Sequence, residues 1–460
     1  MSRAQTCASI LGLGLMLSAA STEARELELF VESRFGADSN VFRRADESEL
    51  PETAGGVWEL APRLTVRDQQ DELQYSFSYQ PTYEQFFALE DGRDAGDISG
   101  FDHNANGTLE WMADPATRIN LDGSFFRQRR VREEFVGVPT AADPVLDASD
   151  NEYLQRGRGT LSFYRQLDPR FSVRGSVSHD NFSAERTDQS DSISYSASGG
   201  VDYSLSAHTK VGVTGTFRYR DTKASIDRNP LPPVPPMPPL PGNPNIDYTE
   251  FRSNTQTVDL SFSLEQEVTE HLSVVLAAGP SFFQTRDEQS ETRDPDLLGP
   301  IPPTFLAFND DQSVFALARV TYYWQRGRLD VSYQRSEGGG GGATAAATIV
   351  DSLSIGAMHQ PTREWTLRGS FNWNRRESLS TESFFGLDTR VAGFSTSLTV
   401  ERRITRHLEI SGRAFFGWTN RDEFRLATPA NPGLGTNASN DTRIMTGTLF
   451  IRYTFEPYVF

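Results

Sequence analysis

The chain has 460 residues, with 62 acidic and 44 basic side chains and a formal net charge of −18. An acidic balance of this size leaves no basic face to neutralise phosphates, which argues against a nucleic-acid partner. The single cysteine, Cys7, excludes a disulfide framework, and no apolar run reaches the roughly 18 residues of a membrane-spanning helix.

Residues 1–24 have the pattern of a secretory signal peptide. A positive charge at Arg3 precedes the short apolar core 10–17, and small residues then offer cleavage after Ala20 or Ala24. Cys7 lies before the apolar core, whereas a lipoprotein acylation site would follow it, so Cys7 is expected to leave with the signal. A buried N-terminal helix is the alternative. The mature chain, residues 25–460, is predicted to be one domain.

From residue 25 onward, apolar and polar residues alternate in segment after segment. In 73–80 and 258–265 every second residue is Leu, Val, Phe or Tyr, and the residues between them are polar. A period of two indicates strands with one apolar and one polar face. The last two segments, 408–418 and 442–455, repeat the pattern, with Phe415 as an exception on the polar face.

Short and long connections join these segments in turn. The eight short ones combine Asp, Pro, Gly, Ser or Thr with charge, which is the chemistry of tight hairpin turns; they lie at 67–71, 113–116, 167–169, 206–208, 269–271, 325–327, 360–362 and 405–407. With nine longer connections they predict eighteen strands. The longer ones include the acidic stretches 90–102 and 286–296, the proline-rich 229–245 and the glycine run 338–342, all predicted as loops.

The apolar rows must be covered by a second sheet or by lipid. Eighteen strands around one soluble core would be unusual, whereas closure into a barrel removes every sheet edge. A propeller would need a blade period of about 40–50 residues, and only the hairpin recurs. The sequence therefore predicts an all-β fold: a transmembrane antiparallel β-barrel of about 18 strands in the outer membrane, with short periplasmic turns and long extracellular loops.

The polar face of the strands carries the candidate site. A barrel of sixteen to eighteen strands leaves an aqueous interior, so charged residues on this face are predicted to line a conduit and set its charge preference. The candidates are Arg156, Arg158, Arg174, Arg218, Arg220, Arg319, Arg368, Arg413, Asp122, Asp259 and Glu265, accompanied by Asp180 and Glu409. The alternative is a wet wall on which arginines pair with carboxylates across strands.

Aromatic residues on the same face are a second group of candidates: Phe126, Tyr164, Phe315 and Tyr323. They are interpreted as stacking platforms for sugar rings, or as side chains that pack against a plug or an inward-folded loop.

No catalytic or metal-binding pattern emerges. The six histidines are scattered, and His208, His271 and His407 fall at predicted turns. His179 stands between Ser178 and Asp180, but neighbours on a strand point to opposite faces, which argues against a barrel hydrolase. The acidic connections lack the ligand spacing of a calcium site. We therefore predict a protein that is not an enzyme and holds no cofactor or metal.

Three segments near the N-terminus, 35–43, 60–64 and 75–83, resemble a family of outer-membrane β-barrels associated with exopolysaccharide loci. That family has a similar Asp-x-Asn-(Val/Ile)-(Phe/Tyr)-Arg segment, here at 38–43, followed by a Leu-x-Pro-x-Leu strand, here at 60–64. The likeness covers about the first 85 residues in motifs and the whole chain in architecture. It implies a conduit that exports an exopolysaccharide with periplasmic and inner-membrane partners; no substrate residues transfer with it.

The carboxyl end, Tyr458-Val459-Phe460, resembles the terminal strand of bacterial outer-membrane proteins. In those proteins the last aromatic residue is the assembly signal, which implies recognition of Phe460 by the barrel-assembly machinery. Besides export, the sequence leaves open a general or solute-selective porin and a structural or adhesive barrel whose loops are active.

Overall fold

The computed structural model describes residues 26–39, 55–87, 100–128, 154–184, 190–227, 246–293, 304–338, 348–378, 387–425, 437–456 and 458–459. The predicted signal peptide, Cys7, the proline-rich connection 229–245 and Phe460 lie outside these ranges. No helix in the described ranges is long and apolar enough to cross a bilayer.

Eighteen long strands and one short strand make up the described chain. The first nine are β1 Glu26–Asp38, β2 Gly55–Gln69, β3 Leu73–Phe87, β4 Gly100–Asp114, β5 Thr117–Gln128, β6 Leu154–Gln166, β7 Phe171–Ala184, β8 Ser190–Ser204 and β9 Thr209–Asp227. The others are β10 Ile246–Thr269, β11 Leu272–Arg293, β12 Thr304–Trp324, β13 Gly327–Gly338, β14 Thr348–His359, β15 Trp365–Ser378, β16 Leu387–Arg403, β17 Leu408–Arg425, β18 Asn437–Thr454 and β19 Tyr458–Val459.

The strands close into a barrel. Each long strand pairs antiparallel with the next one along the chain, and β18 pairs with β1 from Phe30↔Thr454 to Asp38↔Thr446. The short β19 pairs with Glu26 and Leu27 at the start of β1. The predicted fold and its eight short turns are confirmed.

The two faces of the wall have opposite character, as the period-two pattern predicts. On β10, Val258, Leu260, Phe262 and Leu264 are exposed on the outside, and Phe262 keeps 58% of its accessible surface. The intervening Asp259, Ser261 and Ser263 point inward. A closed barrel with an apolar outer band satisfies all its backbone hydrogen bonds internally, as lipid requires. The protein is therefore a multi-pass β-barrel of the outer membrane.

Several strands are longer than a tilted strand needs to be to cross the membrane. About 9–11 residues suffice for a tilted strand to cross, whereas β10 has 24 and β11 has 22. The acidic stretches were expected in loops, but 100–102 belongs to β4 and 286–293 to β11. For β11 the reason is its partner, because β10 continues to Ile246 and pairs with Arg293.

Side chains cap the periplasmic turns with a recurring geometry. A polar side chain of the turn accepts a hydrogen bond from a backbone N–H two or three positions later; it is Asp114, Asp168, Ser206, Thr269, Thr362 or Thr405. At Asp114 the N–H of Ala116 and the hydroxyl of Thr117 hold the carboxyl pKa below its usual value.

One glycine is required where β10 and β11 approach closely. A Cβ on Gly279 would overlap the carbonyl oxygen of Leu260, beside Pro280, which has no N–H to donate. We expect Gly279→Ala to lower the free energy of unfolding by about 1–3 kcal/mol, measured by urea titration of tryptophan fluorescence in lipid vesicles. Gly215→Ala, where nothing lies within 4 Å of the added carbon, should change it by less than about 0.5 kcal/mol. Equal losses would contradict this account.

Candidate functional site

The register places the eleven candidate residues on the inner face. Eight of them lie on the continuous wall β5–β10: Asp122, Arg156, Arg158, Arg174, Arg218, Arg220, Asp259 and Glu265. The other three lie apart, with Arg319 on β12, Arg368 on β15 and Arg413 on β17. The structure thus brings eight candidate residues together on one continuous wall, whereas Arg319, Arg368 and Arg413 lie apart from it and from one another. Their part in passing a solute remains a proposal.

A patch of hydroxyl groups separates these charges, and we call it the hydroxyl wall. It comprises Thr160, Ser162, Ser176, Ser178, Ser194, Ser196, Ser198, Thr214, Thr216 and Ser261, all inward on β6–β10. Neighbouring strands join through Ser176–Ser198 at 2.8 Å and Ser178–Ser196 at 2.6 Å between oxygens. Sequence reasoning missed this surface, although serine at every second position of 190–198 signals it.

Ion pairs on this wall leave some charge unmatched. Arg156 binds Asp180 through Nε at 2.9 Å and Nη2 at 2.6 Å. Arg158 stands directly opposite Asp180 in the register, yet it forms no ion pair within the described ranges. Because Asp180 is already engaged by Arg156, the exposed guanidinium of Arg158 faces the lumen.

Further pairs lie nearer the periplasmic end of the same wall. Asp202 is buried between Arg174, at 3.3 Å, and Lys210, at 3.4 Å. Nearer the extracellular side, Nη2 of Arg218 lies 3.9 Å from one carboxylate oxygen of Asp259, and the other oxygen of Asp259 accepts a hydrogen bond from the hydroxyl of Ser281 at 2.5 Å. The alternative interpretation, a solvated wall on which arginines pair with carboxylates across strands, therefore describes part of this surface.

The predicted aromatic platforms also lie on the inner face. Tyr164 is 38% exposed and stands in the register between Arg118 and Arg174. Tyr323 is 45% exposed, with the guanidinium of Arg328 5.6 Å from its ring centre. Both rings are accessible from the lumen, so stacking on a sugar remains sterically open to them. Phe126 on β5 and Phe315 on β12 share this face.

Across the lumen, an ion-pair chain crosses the closure between β18 and β1. We call it the seam ladder; it consists of Glu59, Arg34, Glu32, Arg452 and Glu409 on β2, β1, β18 and β17. Its links measure 3.2, 2.6, 2.6 and 3.7 Å in that order. Glu32 is 2% exposed and accepts from both arginines. The seam ladder therefore ties the first long strand to the last.

Phe415, the exception in the sequence pattern, does point inward, where it is 6% exposed. The guanidinium of Arg413 lies 5.7 Å from its ring centre. No group of three or more potential metal ligands occurs in the described part of the chain.

No protein-family model matches the sequence, and no curated protein matches it significantly. Among solved structures, the chain is similar to the open form of the ferric-catecholate import receptor Fiu from E. coli K12, with 10% identity, TM-score 0.45 and coverage of 95% of this chain and 82% of that one. It is also similar to OccAB3 from Acinetobacter baumannii, with 11% identity, TM-score 0.39 and coverage of 94% and 99%. The chain is likewise similar to the unliganded ferric citrate transporter FecA, with 10% identity, TM-score 0.40 and coverage of 93% of this chain and 79% of that one.

Proposed function

We propose that this barrel is a passive conduit through which an exopolysaccharide leaves the cell across the outer membrane. The hydroxyl wall is the observation that supports this proposal, because it offers a hydrated glycan a continuous polar surface over five neighbouring strands. The N-terminal motifs, which resemble those of barrels associated with exopolysaccharide loci, point the same way.

The chemistry of the hydroxyl wall suits passage of a sugar chain. Each Ser or Thr hydroxyl both donates and accepts a hydrogen bond, as each sugar hydroxyl does. Exchanging a water for a sugar at such a group changes the free energy by only about 1 kcal/mol, so no single position traps the chain. Tyr164 adds an exposed ring at the periplasmic half of the wall, where a sugar face can stack.

Transport of this kind needs no covalent step. The glycan moves down its gradient or is pushed by periplasmic and inner-membrane partners, as the resemblance implies. Recognition of Phe460 by the assembly machinery is likewise part of the proposal, and concerns a residue outside the described ranges.

Replacing the centre of the hydroxyl wall tests the proposal. We expect a quadruple variant, with Ser176, Ser178, Ser196 and Ser198 changed to Val, to reduce cell-surface polysaccharide about tenfold in a deletion strain. A tenfold change corresponds to about 1.4 kcal/mol, or one to two lost hydrogen bonds. Polysaccharide at the surface is quantified after confirming equal amounts of folded barrel.

The matched control is Ser332→Val with Ser354→Val, a directly opposed pair on the inner face of β13 and β14. It should leave export at the wild-type level. Normal surface polysaccharide in the deletion strain itself would overturn the export function altogether.

A porin for small molecules is the second candidate. It is favoured by the exposed side chains of both signs on the inner face, such as Arg158 and Asp122, which suit a conduit for varied small solutes. Planar-bilayer recording separates the two: steady open conductance to small ions supports the porin. A silent barrel whose deletion removes surface polysaccharide supports export.

A further inference from the structure

The two sides of the periplasmic opening carry opposite charge. On β12–β17, nine arginines and four carboxylates occupy the periplasmic halves of the strands and the turns between them: Arg319, Arg326, Arg328, Arg363, Arg368, Arg402, Arg403, Arg406, Arg413, Asp330, Glu364, Glu401 and Glu409. On β1–β11, twelve carboxylates and seven basic side chains occupy the corresponding ranges 26–31, 63–79, 108–121, 161–177, 199–215 and 264–278. The β12–β17 side, which we call the basic arc, is therefore positive, and the opposite side is negative.

Three of the four carboxylates in the basic arc already bind an arginine. The ion pairs are Asp330–Arg328 at 2.6 Å, Glu401–Arg368 at 3.2 Å and Glu409–Arg452 at 3.7 Å, the last of which reaches β18. A fourth pair, Arg406–Glu456 at 2.5 Å, joins the turn after β16 to the segment after β18. Arg452 and Glu456 cancel each other, so including them leaves the excess of positive charge unchanged.

Six arginines of the basic arc form no ion pair with any residue that the structure describes: Arg319, Arg326, Arg363, Arg402, Arg403 and Arg413. Only Glu364 remains among the carboxylates of the arc to balance them, so the basic arc has a net charge of +5. The whole chain, by contrast, has a net charge of −18. An anion that reaches the basic arc therefore meets guanidinium groups that the described carboxylates leave open.

Three of these six arginines lie at inward positions of the wall. Arg319 on β12 and Arg403 on β16 are exposed, and Arg413 on β17 is half-buried. Arg403 stands opposite Glu409 in the register, yet Glu409 pairs with β18 instead. On the same wall the ring of Tyr323 is 45% exposed, so a sugar ring can stack there beside a positively charged surface.

Two more of the six stand on neighbouring periplasmic turns. Nη1 of Arg326, in the turn after β12, donates a hydrogen bond to the carbonyl of Pro361, in the turn after β14, at 2.5 Å. Arg363 is exposed in the second of these turns. A molecule that approaches from the periplasm meets these two guanidinium groups first. The sixth, Arg402, points outward over the ring of Trp365 at 5.2 Å.

We propose that the basic arc binds an acidic glycan, one whose sugars carry carboxylate groups, as it enters the lumen from the periplasm. Each guanidinium offers N–H donors in a planar fork that matches a carboxylate. The positive side of the opening attracts a polyanion, and the negative side repels it. A neutral glycan gains nothing from this separation of charge. The inference rests on the proposed export function and adds the chemical class of the exported glycan.

The test measures binding to the purified barrel in detergent by isothermal titration calorimetry. The probes are hexagalacturonate, which carries a carboxylate on every sugar, and maltohexaose, a neutral glycan of the same length. At about 0.05 M salt, where charges are weakly screened, we expect the wild type to bind hexagalacturonate about tenfold more tightly, a preference that a few solvated ion pairs supply. In Arg319→Gln with Arg403→Gln and Arg413→Gln, the preference should fall below about threefold.

Arg170→Gln is the matched control, because Arg170 is an exposed arginine in a periplasmic turn on the negative side of the opening. It should retain the wild-type preference. Arg319→Lys with Arg403→Lys and Arg413→Lys keeps the charge and should retain most of the preference, which separates loss of charge from misfolding. Equal binding of the two glycans by the wild type would overturn the proposal, as would an equal loss in Arg170→Gln.

Failure of this inference and failure of the export function give different results. A deletion strain with normal surface polysaccharide overturns export, whichever glycan the purified barrel binds. Equal affinity for hexagalacturonate and maltohexaose overturns the selection of an acidic glycan, and export of a neutral glycan then still stands.

Discussion

Phe262→Arg is expected to lower the free energy of unfolding by about 2–4 kcal/mol, the penalty for an arginine on the lipid face near the bilayer midplane. Phe262 lies outward in the middle of the apolar row of β10 and is 58% exposed. In vesicles its ring contacts acyl chains, where a guanidinium finds neither water nor a partner. Urea titration of the vesicle-bound barrel, followed by tryptophan fluorescence, measures the change.

The neighbouring substitution Ser261→Arg serves as the control. Ser261 points into the lumen, and its hydroxyl donates a hydrogen bond to the main-chain carbonyl of Thr214. An arginine there reaches water, so the change should stay within about 1 kcal/mol. Equal penalties at both positions, or a larger one at Ser261, would show that the apolar rows do not face lipid. The transport proposal would then lose its basis.

Glu32→Gln is expected to destabilise the barrel by about 2–3 kcal/mol. It removes the buried carboxylate that holds Arg34 and Arg452 in the seam ladder, leaving two guanidinium groups close together across the closure. Loss of one partner from a buried pair usually costs about 3–5 kcal/mol. The lower figure allows for lumen water, because the side chain of Arg452 is 44% exposed. Urea titration measures the loss of free energy of unfolding. Gel electrophoresis after heating to a series of temperatures, which gives the temperature at which the folded band is lost, should show the same order of stability.

Two comparisons isolate the role of the seam ladder. Glu110→Gln breaks an ion pair with Arg118, whose side chain is 53% exposed, and should cost less than about 1 kcal/mol. Combining Glu32→Gln with Arg452→Gln should recover part of the stability, because the uncompensated cation is removed. A double variant as unstable as the sum of its single changes would indicate that the ladder contributes no coupling.

The fold could be predicted from the sequence because strand periodicity and turn chemistry are local properties. Alternation in segments such as 73–80 fixes which face meets lipid, and capping residues such as Asp168 mark the turns. Even Phe415, which breaks the alternation, keeps its place on the inner face. Its burial could not be foreseen, because it depends on groups brought near by the closed barrel.

The arrangement of the inner face was less accessible from sequence. The candidate residues could be assigned to a face, but their partners depend on register between strands that turns and loops only partly determine. That Asp180 binds Arg156, while Arg158 forms no ion pair with any residue that the structure describes, is a property of side-chain geometry. The length of β11 likewise depends on how far β10 extends beside it.

The pairing of β1 with β18 has a consequence for how the molecule is made. Glu32 and Arg452 are 420 positions apart, so the closure of β1 against β18 and β19 forms the largest loop among the described strand pairings and carries the greatest entropic penalty of any of them. Until that moment both outer strands present unsatisfied amides and carbonyls, which invite association with other chains. Completion of the cylinder is therefore expected to be the slow, vulnerable stage of biogenesis, and the last stage that a chaperone must protect.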